Sequence, residues 1–322
     1  MTGETDMIVQ ILAQSAQLLV VLLLAPLLTG IVRKMKSRLT RKQGASVFQP
    51  YRDLLRLFRK NAVMAENASW IFRAAPYLIF AFTWAAAALV PTFAVNLPLS
   101  GAADLIVIVG LLASGRFFLA LAGLDIGTSF GGIGSSREMM FASLAEPAML
   151  VVVFTLALVA GSTQLSTVVD FTASPEMGLR VSALLALVAL VIVAIAENAR
   201  IPVDNPATHL ELTMVHEAMV LEYTGRHLAL IEAAASLKLL LYISLIAAIF
   251  APWGMASIGG TAQALASGLG WYALKLGAGG VLLAVFETSI AKMRVFRVPL
   301  FLGAALMLAL LGTLLTFMAR SL

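Results

Sequence analysis

Residues 181–204 read VSALLALVALVIVAIAENARIPVD. The apolar run is continuous, without the alternation of a barrel strand, and its reach of about 179–200 supplies the roughly 20 residues that cross a bilayer as a helix. The run stops on charge. Glu197 and Arg200 stand i, i+3, a spacing that lets them pair on one helix face. Pro202, which has no N–H and restrains the residue before it, is expected to end the helix, and Asp204 follows just outside.

Seven further runs of the same kind lie at about 7–32, 70–96, 104–125, 138–161, 234–251, 271–290 and 298–319. The composition agrees: 61% of the 322 residues are apolar and 12% are Asp, Glu, Lys or Arg, where soluble domains sit near 45–50% and about 25%. Disorder, collagen and a water-solvated enzyme domain are thereby excluded. The expectation is an all-α integral membrane protein, 1–322, forming a single membrane domain. There is no Cys, which excludes disulfides, Cys-ligated zinc and Cys-bound iron–sulfur clusters; three His are too few for two bis-His haems but not for one haem. The start, Met1 to Asp6, is acidic, so the first run reads as a membrane helix and not as a cleaved signal.

Basic residues test the span count. Ten of the 22 lie between the first two runs: Arg33, Lys34, Lys36, Arg38, Arg41, Lys42, Arg52, Arg56, Arg59 and Lys60. Arg137, then Arg200 and Arg226, then Lys292, Arg294 and Arg297 fall in alternate connections. The connections near 97–103, 162–178 and 252–270 have none, except Arg180 at the edge of a helix. By the positive-inside rule this predicts about eight transmembrane helices with both termini on the non-cytoplasmic side. It leaves a basic cytoplasmic segment, 33–69, and an acidic, His-containing cytoplasmic loop, 197–233. Within the first, Val47, Tyr51, Leu54, Leu55 and Phe58 share a helical period opposite Arg52, Arg56, Arg59 and Lys60. An amphipathic helix at the cytoplasmic surface is expected, either as a lipid anchor or as a docking platform for a soluble partner using Arg52, Asp53, Arg56, Arg59 and Lys60.

Charge inside a bilayer is costly and points to function. Arg73, Arg116, Glu138, Glu146, Glu197, Lys238, Lys275 and Glu287 all fall in or at the ends of apolar runs. They form either a trail of groups able to pass protons or static pairs and snorkelling side chains. Glu138 and Glu146 are about 12 Å apart along a helix and on neighbouring sides, so a proton passing between them needs water or another side chain. His209 and His216 could share a face, but partner contact or proton handling fits that loop better than metal. The glycine-rich stretch 127–134 lacks a strand and reads as a loop between helices. No phosphate-binding or nucleophile motif stands out, and nothing suggests nucleic-acid recognition.

Four stretches carry a resemblance: Gly44 to Lys60 with Gln49-Pro50-Tyr51-Arg52-Asp53-Leu54; Gly132-Ile133-Gly134-Ser135-Ser136-Arg137-Glu138 on to Glu146-Pro147; Glu197 to Asp204 with Glu211-Leu212 and Glu222-Tyr223-Thr224-Gly225; and Glu287 to Arg294. Together they resemble the membrane subunit shared by respiratory complex I, its subunit 1 or H, and group 4 membrane-bound NiFe hydrogenases, in the formate hydrogenlyase subunit 4 and hydrogenase-4 component C branch. The resemblance implies a non-catalytic subunit that docks a soluble redox arm and begins a proton path. The matching positions are Glu146, Glu197, Arg200, Asp204, Glu211 and Glu222, with Glu138 beside them. It implies no cofactor in this chain, with iron–sulfur clusters and a NiFe centre in partner subunits. Those partners would be soluble hydrogenase-like large and small subunits, an iron–sulfur subunit and antiporter-like membrane subunits, in a bacterial or archaeal cytoplasmic membrane. Val203 replaces the Phe of the complex I pattern, Ala207 and His209 stand where it has acids, and about three extra residues precede Glu222. These departures favour the hydrogenase-like branch over a quinone chamber. A stand-alone secondary transporter is the remaining reading, disfavoured by the lack of an internal repeat.

Overall fold

A computed structural model describes residues 2–174, 180–200, 203, 215–257, 262–291, 293 and 297–321. The helices in order are α1 (Thr2–Leu39), α2 (Gln49–Phe58), α3 (Trp70–Leu89), α4 (Leu105–Asp125), α5 (Ser129–Ala160), α6 (Leu165–Ala173), α7 (Val181–Glu197), α8 (His216–Val220), α9 (Gly225–Phe250), α10 (Ala262–Ser289) and α11 (Val298–Ser321). Two-residue strands β1 (Ala94–Val95) and β2 (Ala256–Ser257) pair in parallel.

The all-α membrane architecture holds. Each of the eight expected runs contains a helix, and seven of these helices, α1, α3, α4, α5, α9, α10 and α11, are long and apolar enough to span. The eighth, α7, has 17 residues and covers only about 25 Å, less than a hydrocarbon core of about 30 Å. Its charged C-terminal end therefore falls at membrane depth when its other end stands at the surface. Non-helical backbone survives at that depth only inside protein or beside a water-lined cavity.

Three expectations are corrected. The stretch 127–134 is not a loop throughout, because α5 begins at Ser129, nine residues ahead of the expected 138. Thr128 caps it, accepting from Gly131 N at 3.2 Å. The glycines allow contact: a Cβ on Gly131 would lie 2.1 Å from Gly123 O, and one on Gly134 2.9 Å from Val215 O. Small residues let helices approach closely where apolar burial alone does not drive them together. Helix α9 likewise begins at Gly225, so Arg226, His227 and Glu232 are helical and not part of a loop. Finally, α7 ends at Glu197, five residues before Pro202.

That early stop is a Schellman turn. Arg200 N donates to Ile195 O at 3.1 Å and Ala199 N to Ala196 O at 3.0 Å, while Ala199 takes a positive φ of 47°. These are the 6→1 and 5→2 bonds of the motif, with Ala where Gly is usual. A polar seam joins α5 to α11, where Thr155 and Thr313 hydroxyls meet at 2.7 Å.

Candidate functional site

Arg116 lies in the middle of α4, 7% exposed. Its guanidinium serves three carboxylates. Nε is 3.3 Å from Glu138 Oε1, Nη1 is 3.3 Å from Glu146 Oε1, and Nη2 bonds Glu197 Oε1. The other Glu197 oxygen takes Lys238 Nζ, from α9, at 2.8 Å. Four helices thus converge on one cluster. The planar fork of five N–H donors is what lets one cation hold several acids at once. It is also the intermediary that Glu138 and Glu146 need, since they meet on Arg116 and not on each other.

The cluster is open on two sides. A cavity of about 90 Å³ is lined by Arg116, Glu138, Glu197, His216 and Lys238. A water needs roughly 10–15 Å³ of such space, so several fit. On the other side, Arg116 and Glu146 line a hollow of about 310 Å³ with Ser114, Phe117 and Met139. The Glu146 side chain is 37% exposed there.

Arg200 does not pair with Glu197. The i, i+3 rule presupposes a continuing helix, and the turn at Ala199 swings Arg200 away. Its Nη1 lies 3.5 Å from Glu287 Oε1, and Glu287 Oε2 takes Lys36 Nζ at 3.0 Å. This second cluster ties α1, the end of α7 and α10.

At the same end of the bundle, α2 lies on α1 through the Tyr51 hydroxyl, which donates to Leu23 O. Arg52, Arg56, Arg59 and Lys60 are exposed. Asp53 is occupied locally, accepting from Gln49 Nε2 at 3.0 Å and Arg56 Nη2 at 3.2 Å. The apolar stripe is only partly covered: Leu55 and Phe58 are at least half exposed. The segment after α2 is stitched to the start of α9. Thr224 Oγ1 accepts from Val63 N at 2.8 Å and donates to Val63 O at 3.0 Å. Tyr223 stacks on Phe72 at 4.0 Å and its hydroxyl donates to Phe72 O at 3.0 Å. Burial, with the Asp125 carboxylate adding to it, pushes the Tyr223 phenol far above its ordinary range, so it stays a donor.

Glu138, Glu146 and Glu197 are therefore brought together. Arg200 joins a different cluster, and Glu222 is half-buried and belongs to no ion pair among the described residues. Asp204, Glu211 and His209 lie outside the described residues. Arg73 is exposed in the first turn of α3, as a snorkelling residue would be. Sequence reasoning noted Arg116, Lys238 and Glu287 as charges in apolar runs without assigning them a place. The available signal was arithmetic: three acids in or at the ends of apolar runs, with few cations beside them in the sequence.

The NADH dehydrogenase family model matches residues 13–318. Formate hydrogenlyase subunit 4 of Escherichia coli is 34% identical over 286 residues, 88% of this chain and 91% of that one. Hydrogenase-4 component C of the same organism is 35% identical over 241 residues, 75% of each chain. A chain in the structure of the membrane-bound sulfane sulfur reductase, an archaeal respiratory membrane complex, superposes with a TM-score of 0.80 at 20% identity, covering 95% of this chain and 99% of that one. The chain belongs to the NADH dehydrogenase subunit 1-like family and, within it, resembles formate hydrogenlyase subunit 4 and hydrogenase-4 component C.

Proposed function

We propose that this chain is the membrane-anchoring, proton-path subunit of a formate hydrogenlyase or hydrogenase-4-like redox complex. The observation that carries the reading is the Arg116 cluster. With every group ionised, Glu138, Glu146 and Glu197 face Arg116 and Lys238, three negative charges against two positive. One added proton brings the cluster to neutrality. Water in the cavity beside Glu138 and Glu197 delivers that proton, Arg116 reorients among its partners, and Glu146 presents it at the outer face of α5. A part-exposed carboxylate at apolar depth calls for a polar neighbour, and an antiporter-like membrane subunit supplies one.

The basic α2 and the 197–233 region form the docking platform on the cytoplasmic side. The soluble large, small and iron–sulfur subunits seated there carry the nickel–iron and iron–sulfur centres, in a bacterial or archaeal cytoplasmic membrane. With all eight helices crossing, both termini face away from that side.

The test is the purified complex reconstituted in liposomes. Glu197→Gln and Glu146→Gln are expected to leave assembly and redox turnover intact and to lower proton movement per turnover at least about tenfold, as loss of a relay group would. Unchanged coupling in both variants overturns the relay. A chain that purifies alone, without nickel or iron in company, overturns the assignment to a redox complex.

A further inference from the structure

A second hollow has no part in the relay. It runs between α7, α9 and α10, has a volume of about 630 Å³, and is walled by apolar side chains such as Val191, Ile246, Leu282 and Phe286. Two cations border it. Arg200, at one end, is taken by Glu287 at 3.5 Å. Lys275, at the other, has no carboxylate within pairing distance among the described residues. Its Nζ donates to Trp253 O at 2.5 Å and stands 5.7 Å from the Trp253 ring centroid. Two of its three N–H donors are left for a ligand. Trp253 is itself 60% exposed, as an interfacial tryptophan is.

We infer that this groove binds an anionic phospholipid, its headgroup at Lys275 and Trp253 and an acyl chain laid along α10 toward Phe286. Three observations select that occupant. The unpaired cation lies at one end only, so the ligand is an amphiphile with its anion there. The eleven residues from Lys275 to Phe286 span about 16 Å, close to half of a hydrocarbon core of about 30 Å, which is the depth of one leaflet. The volume falls in the range of about 300–1,000 Å³ typical of small-ligand pockets. The loops of residues 97–103, 162–178 and 252–270 contain no Lys or Arg, so Lys275 is a scarce cation on its side of the membrane.

The chain has no Cys, so Leu282→Cys, at a position 69% exposed, gives it a single thiol. The whole complex carrying that change, labelled with a benzophenone maleimide, is placed in nanodiscs of equal phosphatidylglycerol and phosphatidylcholine, irradiated and weighed. The expected product is a phosphatidylglycerol adduct at least fivefold over phosphatidylcholine. Lys275→Gln should bring the two yields to parity, and Ala278→Trp, which fills the groove from its open wall, should remove both. Equal yields in the parent, a preference that survives Lys275→Gln, or a cross-link to another subunit in place of lipid each overturns the inference. Assembly is checked by size exclusion, and if Ala278→Trp does not assemble, the Lys275→Gln comparison decides.

Discussion

The two charge clusters that flank the end of α7 use the same side chains to opposite effect. Around Arg116 three acids share two bases, with water-sized space on one side and a part-exposed Glu146 on the other. Around Glu287 two bases share one acid whose side chain is 2% exposed. A surplus of acid with access can take up and release protons. A surplus of base around a closed carboxylate can only hold helices together. The difference teaches that the buried charge among the described residues of this chain falls into two separate clusters. A Schellman turn at Ala199 divides the half proposed to handle protons from the half that fastens helices.

The largest break in that comparison is Arg116→Met. It strands Glu138 and Glu146 and leaves Glu197 with Lys238 alone, and removing one partner from a buried pair costs about 3–5 kcal/mol. The expected result is a complex that fails to accumulate in the membrane, seen by immunoblot and size exclusion. A normally assembled variant would show that the acids are held by something other than Arg116.

Glu287→Gln is expected to come next, at roughly 2–3 kcal/mol, because the amide still accepts a bond from one cation but leaves buried positive charge. It should lower the thermal inactivation midpoint while proton coupling per turnover in the surviving complex stays at the parent value. Lost coupling without lost stability would move Glu287 into the relay.

Lys238→Met sharpens the contrast from the other side. Glu197 keeps Arg116, so the stability loss should be smaller, about 1–3 kcal/mol. In a cycle with Glu197→Gln the two effects should be non-additive, as for groups in one network. Additive effects would separate Lys238 from the cluster.

The smallest expected effect is a gain. Ala199→Gly relieves an L-residue in the left-handed region, a conformation that costs about 1–2 kcal/mol. It should raise the inactivation midpoint slightly and change neither cluster's function. A loss of stability would mean that the Ala199 methyl group, which lines the Arg116 cavity, is itself packed to advantage.

Much of the fold was legible because its signal is local. Each apolar run was visible on its own, and the heavy basic segment stood out before α3. What was not legible was set by packing between distant segments. Gly127 to Gly134 looked like a loop because glycine weakens a helix in isolation, yet Gly131 and Gly134 are helical because α4 and residue 215 press against them. Pro202 was the obvious helix stop, but the backbone turns earlier, where two hydrogen bonds to Ile195 and Ala196 offset the cost at Ala199. At the site, spacing identified Glu138, Glu146 and Glu197 as candidates. It could not show that an Arg on a different helix collects all three, because the register between α4 and α5 is a tertiary fact.

One guanidinium holding carboxylates from two different helices has a mechanical consequence. While all three acids are charged, Arg116 acts as a taut guy-line between α5 and α7. On the proposed proton path, a proton taken by one of them would slacken its strand of that line. The short α7 is then fastened from both sides, by Glu197 to the Arg116 line and by Arg200, just past its end, to the Glu287 cluster.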